Sequence, residues 1–201
     1  MKNKVTGLVL LLVLATVLSA CGNVKFKADY SMEMQDFEHV NQRGEKVSLD
    51  SLKGKPWLGM YVFTNCTSIC PPMSFNMTQV QEKLKDKGIE DYNIVAFSID
   101  PEVDTPEVLA DYLARYNVPD DSKWNLLTGY AQSYIEQYAQ KSTKIWVKDD
   151  PNSDQVIHGS QFFLVDKDGV LVKMYNGYSE DEDVPIDTIA GDIETYIEEN
   201  L

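Results

Sequence analysis

The chain has 201 residues, 43% of them hydrophobic and 25% charged, which suits one globular domain with a sizeable core once any targeting segment is set aside. With 32 acidic residues against 18 basic ones the formal charge is −14, a surface that repels phosphate backbones and argues against nucleic-acid binding. Three cysteines are too few for a disulfide scaffold in a domain of this size.

Lys2 and Lys4 precede an apolar run from Gly7 to Leu18, and small residues follow before Cys21, the layout of a signal peptide over residues 1–20. The run is shorter than the roughly 18 or more apolar residues of a membrane-spanning helix. Leu18-Ser19-Ala20-Cys21 resembles the lipobox of bacterial lipoproteins, which implies cleavage before Cys21 and a lipid on its sulfur. Residues 21–30 then read as a lipid-anchored tether, and the chain as held at the extracytoplasmic face of a bacterial cell membrane. Removing Lys2 and Lys4 takes the formal charge from −14 to −16.

Residues 31–201 read as the folded domain. Phe37 to Leu49, with a turn at Gly44, predicts an N-terminal hairpin. Trp57 to Phe63 is an apolar run of strand length, buried on both faces if central. Met73, Met77, Val80 and Leu84 recur at helical spacing until Lys87-Gly88 stops the helix, so the two methionines are expected to pack in the core rather than bind metal. Asn93 to Ile99 predicts a second buried strand. Thr105-Pro106-Glu107 then starts a helix to about Asn117, with a hydroxyl cap, Pro at the first helical position and an acid at the positive end of the dipole.

A strand at Trp124–Leu127, a helix at 132–141 and extended pieces at 145–147 and 155–158 follow. Lys167-Asp168-Gly169 joins strands at 162–166 and 170–175 in a hairpin, and a helix at 186–199 ends the chain. Alternating strands and helices that finish in a hairpin plus helix describe an α/β fold with a mixed central sheet.

Thr64-Asn65-Cys66-Thr67-Ser68-Ile69-Cys70-Pro71-Pro72 lies at the exit of the first buried strand, at the sheet edge where α/β proteins place ligands. Pro71 fixes helical φ and biases Cys70 away from it, which predicts Cys70 at the helix N-cap with its thiolate favoured by the dipole. Either a disulfide or a shared metal fits the spacing. Two thiolates alone suit Cu(I), and an added imidazole suits Cu(II) or Zn(II). The chain has two histidines. His39, in the polar hairpin, reads as a solvated strand residue, and His158 stands just before a buried strand.

Thr64-x-Cys66-x-x-x-Cys70-Pro71, Ser98-Ile99-Asp100-Pro101-x-x-Asp104-Thr105-Pro106, Leu127-Thr128-Gly129 and His158-x-Ser160-x-x-Phe163-Leu164-Val165-Asp166 follow one another as in the Sco/SenC family, and the chain resembles it from about residue 30 to the C-terminus. The resemblance implies a thioredoxin-like fold, copper as Cu(I) or Cu(II), and Cys66, Cys70 and His158 as its ligands. Asp100 is expected either to orient a ligand from the second shell or to form the turn before Pro101. Ser160 stands where thioredoxin-like oxidoreductases usually carry a cis-proline, which suits a metal site better than a peptide-disulfide site.

The implied function is a copper chaperone that serves the dinuclear copper site of cytochrome c oxidase subunit II, supplied by an unidentified copper donor. A competing one is a thiol-disulfide reductase that cycles Cys66 and Cys70 to keep that subunit's cysteines reduced, drawing on an unidentified thiol reductant. A peroxidase of the peroxiredoxin kind shares the fold, but a Thr-x-x-Cys peroxidatic pattern together with its usual Arg partner is not evident.

Overall fold

The computed structural model describes residues 25–149 and 155–201. The signal segment and Cys21 lie outside them. Strands β1 (Met32–Glu33), β2 (Glu38–Val40) and β3 (Lys46–Ser48) lead into a short helix α1 (Leu49–Leu52), then β4 (Trp57–Val62), α2 (Cys70–Asp86), β5 (Asn93–Ser98) and α3 (Pro106–Ala114). A 3-10 turn at Asp121–Lys123 precedes β6 (Trp124–Leu127), α4 (Gln132–Ser142), β7 (Val147–Asp149), β8 (Val156–His158), β9 (Gln161–Val165), β10 (Val170–Asn176) and α5 (Ile186–Asn200).

The central sheet has the order β1-β10-β9-β4-β5-β6, with β4, β5 and β6 parallel and the other pairs antiparallel. Every residue of β4 is buried, as its apolar run requires of a strand covered on both faces. Alternate side chains therefore feed two cores. Trp57, Tyr61, Phe63, Val95 and Phe97 pack beneath the hairpin β2–β3 and helix α4, while Leu58, Met60, Val62, Ile94 and Ala96 pack beneath α2, α3 and α5. Met73 and Met77 are wholly buried in the second core.

Most of the elements expected in chain order are present, with local differences. Helix α3 ends at Ala114 rather than near Asn117, because Asn117 takes the left-handed conformation (φ 48°) ahead of Val118-Pro119. Helix α1 was not expected. Its capping box pairs Ser48 with Ser51 in place of the usual Glu or Gln, so the sequence signal is faint. Strand β1 is two residues long and pairs only with β10, too short for a period to show. Within the stretch read as a tether, the Asp29 and Tyr30 amides donate to the Val172 carbonyl, and Phe26 packs edge-on against Tyr196.

Gly59 shows how tightly the first core is filled. A Cβ there would lie 2.1 Å from Cε2 of Phe163, on the neighbouring strand β9, so the absent side chain is what admits that ring. Gly59→Ala is expected to cost about 1–3 kcal/mol through overpacking, read as a lowered midpoint in urea denaturation. An unchanged midpoint would show that the ring shifts freely.

Candidate metal centre

Because β4 and β5 are parallel, their carboxyl-end loops emerge at one edge of the sheet. Asp104 joins them. Its Oδ1 accepts from the Thr64 amide (3.2 Å) and hydroxyl (2.6 Å), its Oδ2 accepts from the Ser98 hydroxyl (2.6 Å), and its backbone carbonyl accepts from the Thr128 hydroxyl at the end of β6 (2.6 Å). The loop from Thr64 thus leaves β4 in a fixed direction. It brings the Cys66 sulfur onto the first turn of α2, where the Cys70 amide donates to it at 3.3 Å.

The imidazole comes from a separate ribbon. β7 and β8 pair only with each other, and His158 lies opposite Val147. Val147 and Val156 anchor the ribbon in the first core, and the Gln155 side-chain amide donates to the Asn65 carbonyl of the cysteine loop (3.4 Å). His158 Nε2 lies 3.4 Å from Cys70 Sγ, and Nδ1 lies 2.9 Å from the Gly159 carbonyl. A carbonyl only accepts, so Nδ1 carries the proton and Nε2 faces the sulfurs with its lone pair. The two sulfurs and an imidazole nitrogen all lie within 4.8 Å of one another.

The two thiols differ electrostatically. Cys66 is held well below the ordinary thiol range, chiefly by the neighbouring Cys70 side chain and further by the Cys70 amide that donates to its sulfur. Cys70 is pushed up, first by the neighbouring Cys66 and then by burial. The helix also begins one residue earlier than expected: Ile69 is the N-cap and Cys70 the first helical residue. The expectation of a Cys70 thiolate is thereby corrected. The sulfur that receives the helix amide is that of Cys66, four residues upstream.

Other singled-out residues have partners of their own. Asp100 closes a turn, its carbonyl accepting from Val103 (3.1 Å) and Asp104 (2.9 Å) while its amide donates to the Ser98 hydroxyl. The partner found at His158 Nδ1 is the Gly159 carbonyl rather than a carboxylate. His39 is not solvated as expected. It sits among Phe37, Tyr130 and Tyr134 with Nε2 buried, and burial lowers its pKa. Asp104 stands within the Ser98–Pro106 motif, and its position there is its sequence signal.

Two soft sulfurs and an imidazole form a donor set for Cu(I), Cu(II) or Zn(II), and two adjacent thiols also support disulfide chemistry. Residues 27–198 match the SCO1/SenC family. The chain belongs to that family. Among its relatives, the SCO1 protein homolog of Bacillus subtilis is 47% identical over 178 residues, covering 89% of this chain and 90% of the relative. A SCO1/SenC family lipoprotein from Bacillus anthracis superposes with a TM-score of 0.78 at 34% identity, covering 85% of this chain and 99% of that one.

BsSco, described as a member of the Sco family of cytochrome c oxidase assembly proteins in which a disulfide switch was identified, gives a TM-score of 0.77 at 45% identity, covering 86% and 97%. ScoI of Bradyrhizobium japonicum, solved with copper bound, gives 0.68 at 28%, covering 82% and 99%. The fold of this SCO1/SenC chain is accordingly thioredoxin-like, with the hairpin β2–β3 as an N-terminal addition.

The thiol asymmetry predicts reactivity. Because the Cys66 pKa is lowered, its thiolate persists as pH falls below the usual thiol value of about 8.5, whereas Cys70 stays protonated through neutrality. Iodoacetamide near pH 6 is expected to label Cys66 ahead of Cys70, read by peptide mass spectrometry; equal labelling contradicts the assignment. Asp104→Ala is expected to leave the Thr64 and Ser98 donors unpaired, destabilising the chain by about 1–3 kcal/mol and removing that selectivity. Retained stability and selectivity would show that the cysteine loop is positioned without the carboxylate.

Proposed function

We propose that this SCO1/SenC chain is a copper-binding assembly protein in which Cys66, Cys70 and His158 hold Cu(I) or Cu(II) as cargo for the dinuclear copper site of cytochrome c oxidase subunit II. The observation that carries the reading is the convergence of two sulfurs and an imidazole within 4.8 Å. Its orientation supports it: the Gly159 carbonyl fixes the tautomer that turns the Nε2 lone pair inward. Copper bound to a solved relative, and a relative described as an oxidase assembly protein, supply the metal and the partner class. The lipobox at Cys21, together with a relative described as a lipoprotein, supports attachment to the outer face of a bacterial membrane by lipid. No helix among the described residues is long and apolar enough to cross a membrane.

A second reading rests on the same sulfurs. Cys66 and Cys70 are free thiols with unequal proton affinities, and BsSco carries a described disulfide switch. In this reading the Cys66 thiolate attacks a target disulfide, Cys70 then displaces the target thiol, and the chain is left with a Cys66–Cys70 disulfide. Two electrons pass to the target; the Cys70 proton ends on one target sulfur, and the other target sulfur leaves as a thiolate that solvent protonates.

Anaerobic titration of the reduced chain with Cu(II) separates the readings. Retention of one copper with a thiolate-to-copper charge-transfer band supports the first; oxidation to a disulfide without retained metal supports the second. Two thiolates satisfy Cu(I), whereas Cu(II) gains from an imidazole. His158→Ala is therefore expected to weaken Cu(II) binding by more than the roughly 10- to 100-fold typical of losing an outer-shell partner, with a much smaller effect on Cu(I). Equal losses would make His158 a support for the loop. Cys21→Ala is expected to abolish fatty-acid labelling and leave copper binding intact; undiminished labelling would remove the lipid assignment.

A further inference from the structure

The ribbon that carries His158 on its inner face has an unusual outer face. Val147 pairs with His158 and Lys148 with Ile157, so Ile157 and Lys148 share one side, and Trp146, two residues before Lys148, falls on it too. Trp146 is 71% exposed and Ile157 60%. Six large apolar side chains are exposed among the described residues, and three of them, Tyr30, Trp146 and Ile157, line a single cleft of about 970 Å³ that also reaches His158. Scattered exposed apolar residues are ordinary, but a cluster beside a reactive site marks a contact surface.

The described residues around this cleft carry charge opposite to that of the molecule. The chain has 32 Asp and Glu, yet no described one lines the cleft, and Lys144 does. On the other side of Trp146, Lys141 and Lys148 line an adjoining groove with Glu136 as its sole carboxylate among the described residues. None of these three lysines forms an ion pair with a described carboxylate. Asp149 lies one step farther along the ribbon, opposite Val156.

We propose that the outer face of the β7–β8 ribbon and this cleft form the docking surface for the protein that exchanges copper or thiol equivalents with Cys66, Cys70 and His158. That partner presents an acidic surface and inserts an apolar side chain between Trp146 and Ile157. The proposal rests on the function proposed above and names where its partner binds. Two observations select a protein of this charge. The apolar and cationic rim is continuous with His158, and an acceptor must come within bonding distance of the site to take its cargo. The surface is also concave, which suits a protruding side chain better than a flat bilayer. Trp146 and Ile157 would supply the apolar anchor, and the lysines would steer the approach.

The test uses the full chain in detergent and the copper-free soluble domain of cytochrome c oxidase subunit II as probe, comparing wild type with Trp146→Ser/Ile157→Ser and Lys144→Glu/Lys148→Glu. The apolar pair is expected to lower affinity at least tenfold, mainly through faster dissociation. The charge reversal is expected to slow association severalfold at low salt, with the difference closing as salt rises. Both variants should bind one Cu(II) as wild type does, and that separate measurement decides the copper reading.

Wild-type affinity in both variants, or no association of wild type with the probe, overturns the docking surface even when copper binding is intact. A further arm reconstitutes the chain in phosphatidylglycerol vesicles with brominated acyl chains. Trp57 and Trp124 are each only 1% exposed, so quenching reports on Trp146. Strong quenching would assign this face to the membrane and also overturn the proposal.

Discussion

A single carboxylate ties the carboxyl ends of three parallel strands together: Asp104 bonds through its side chain to Thr64 beyond β4 and Ser98 on β5, and through its carbonyl to Thr128 beyond β6. It is fully buried, and burial pushes its pKa up despite three hydrogen bonds that act the other way. Burying an acid is unfavourable unless its oxygens are satisfied, and both are. What the arrangement provides is direction. The chain must leave β4 at Thr64 on a fixed path, and that path sets Cys66 against the start of α2.

The cysteine pair then inherits its chemistry from this placement. One sulfur accepts the helix amide, and the other lies 3.4 Å from the inward-facing Nε2 of His158. The pair is consequently unequal before any metal or target arrives, with the Cys66 pKa lowered and the Cys70 pKa raised. The same inequality serves metal capture, which needs deprotonated sulfur, and disulfide exchange, which needs one attacking and one resolving thiol. Chaperone and reductase readings therefore share a structural basis in this chain.

The third donor is held differently. His158 rides on a two-stranded ribbon outside the central sheet, anchored by Val147 and Val156 and joined to the cysteine loop through Gln155. The first core beneath it is dense with rings: Phe97 packs at 5.3 Å from Phe37 and 5.0 Å from Tyr138, and Phe63 lies 6.0 Å from the His158 ring. A rigid sheet edge thus faces a ribbon with one buried side and one open side. The inner side brings the imidazole to the two sulfurs, while the outer side exposes Trp146 and Ile157.

Much of the domain was legible locally. Apolar runs marked β4 and β5, the Met73-Met77-Val80-Leu84 spacing marked α2, Thr105-Pro106 marked the start of α3, and Lys167-Asp168-Gly169 marked the last hairpin, because periods, caps and turns are written within a few adjacent residues. The resemblance carried by the cysteine and His158 motifs pointed to the same three donors that the structure brings together. Long-range pairing decided the rest. The sequence does not encode locally that β9 lies beside β4, that His39 enters an aromatic cluster, that Asp104 is the tie between strands, or that Cys66 rather than Cys70 receives the helix amide. Cys70 and His158 are 88 residues apart. Their approach is a property of how sheet, helix and ribbon pack, so the sequence by itself determined which atoms are available for chemistry, and only the tertiary structure determined which of them meet and which sulfur receives the helix amide.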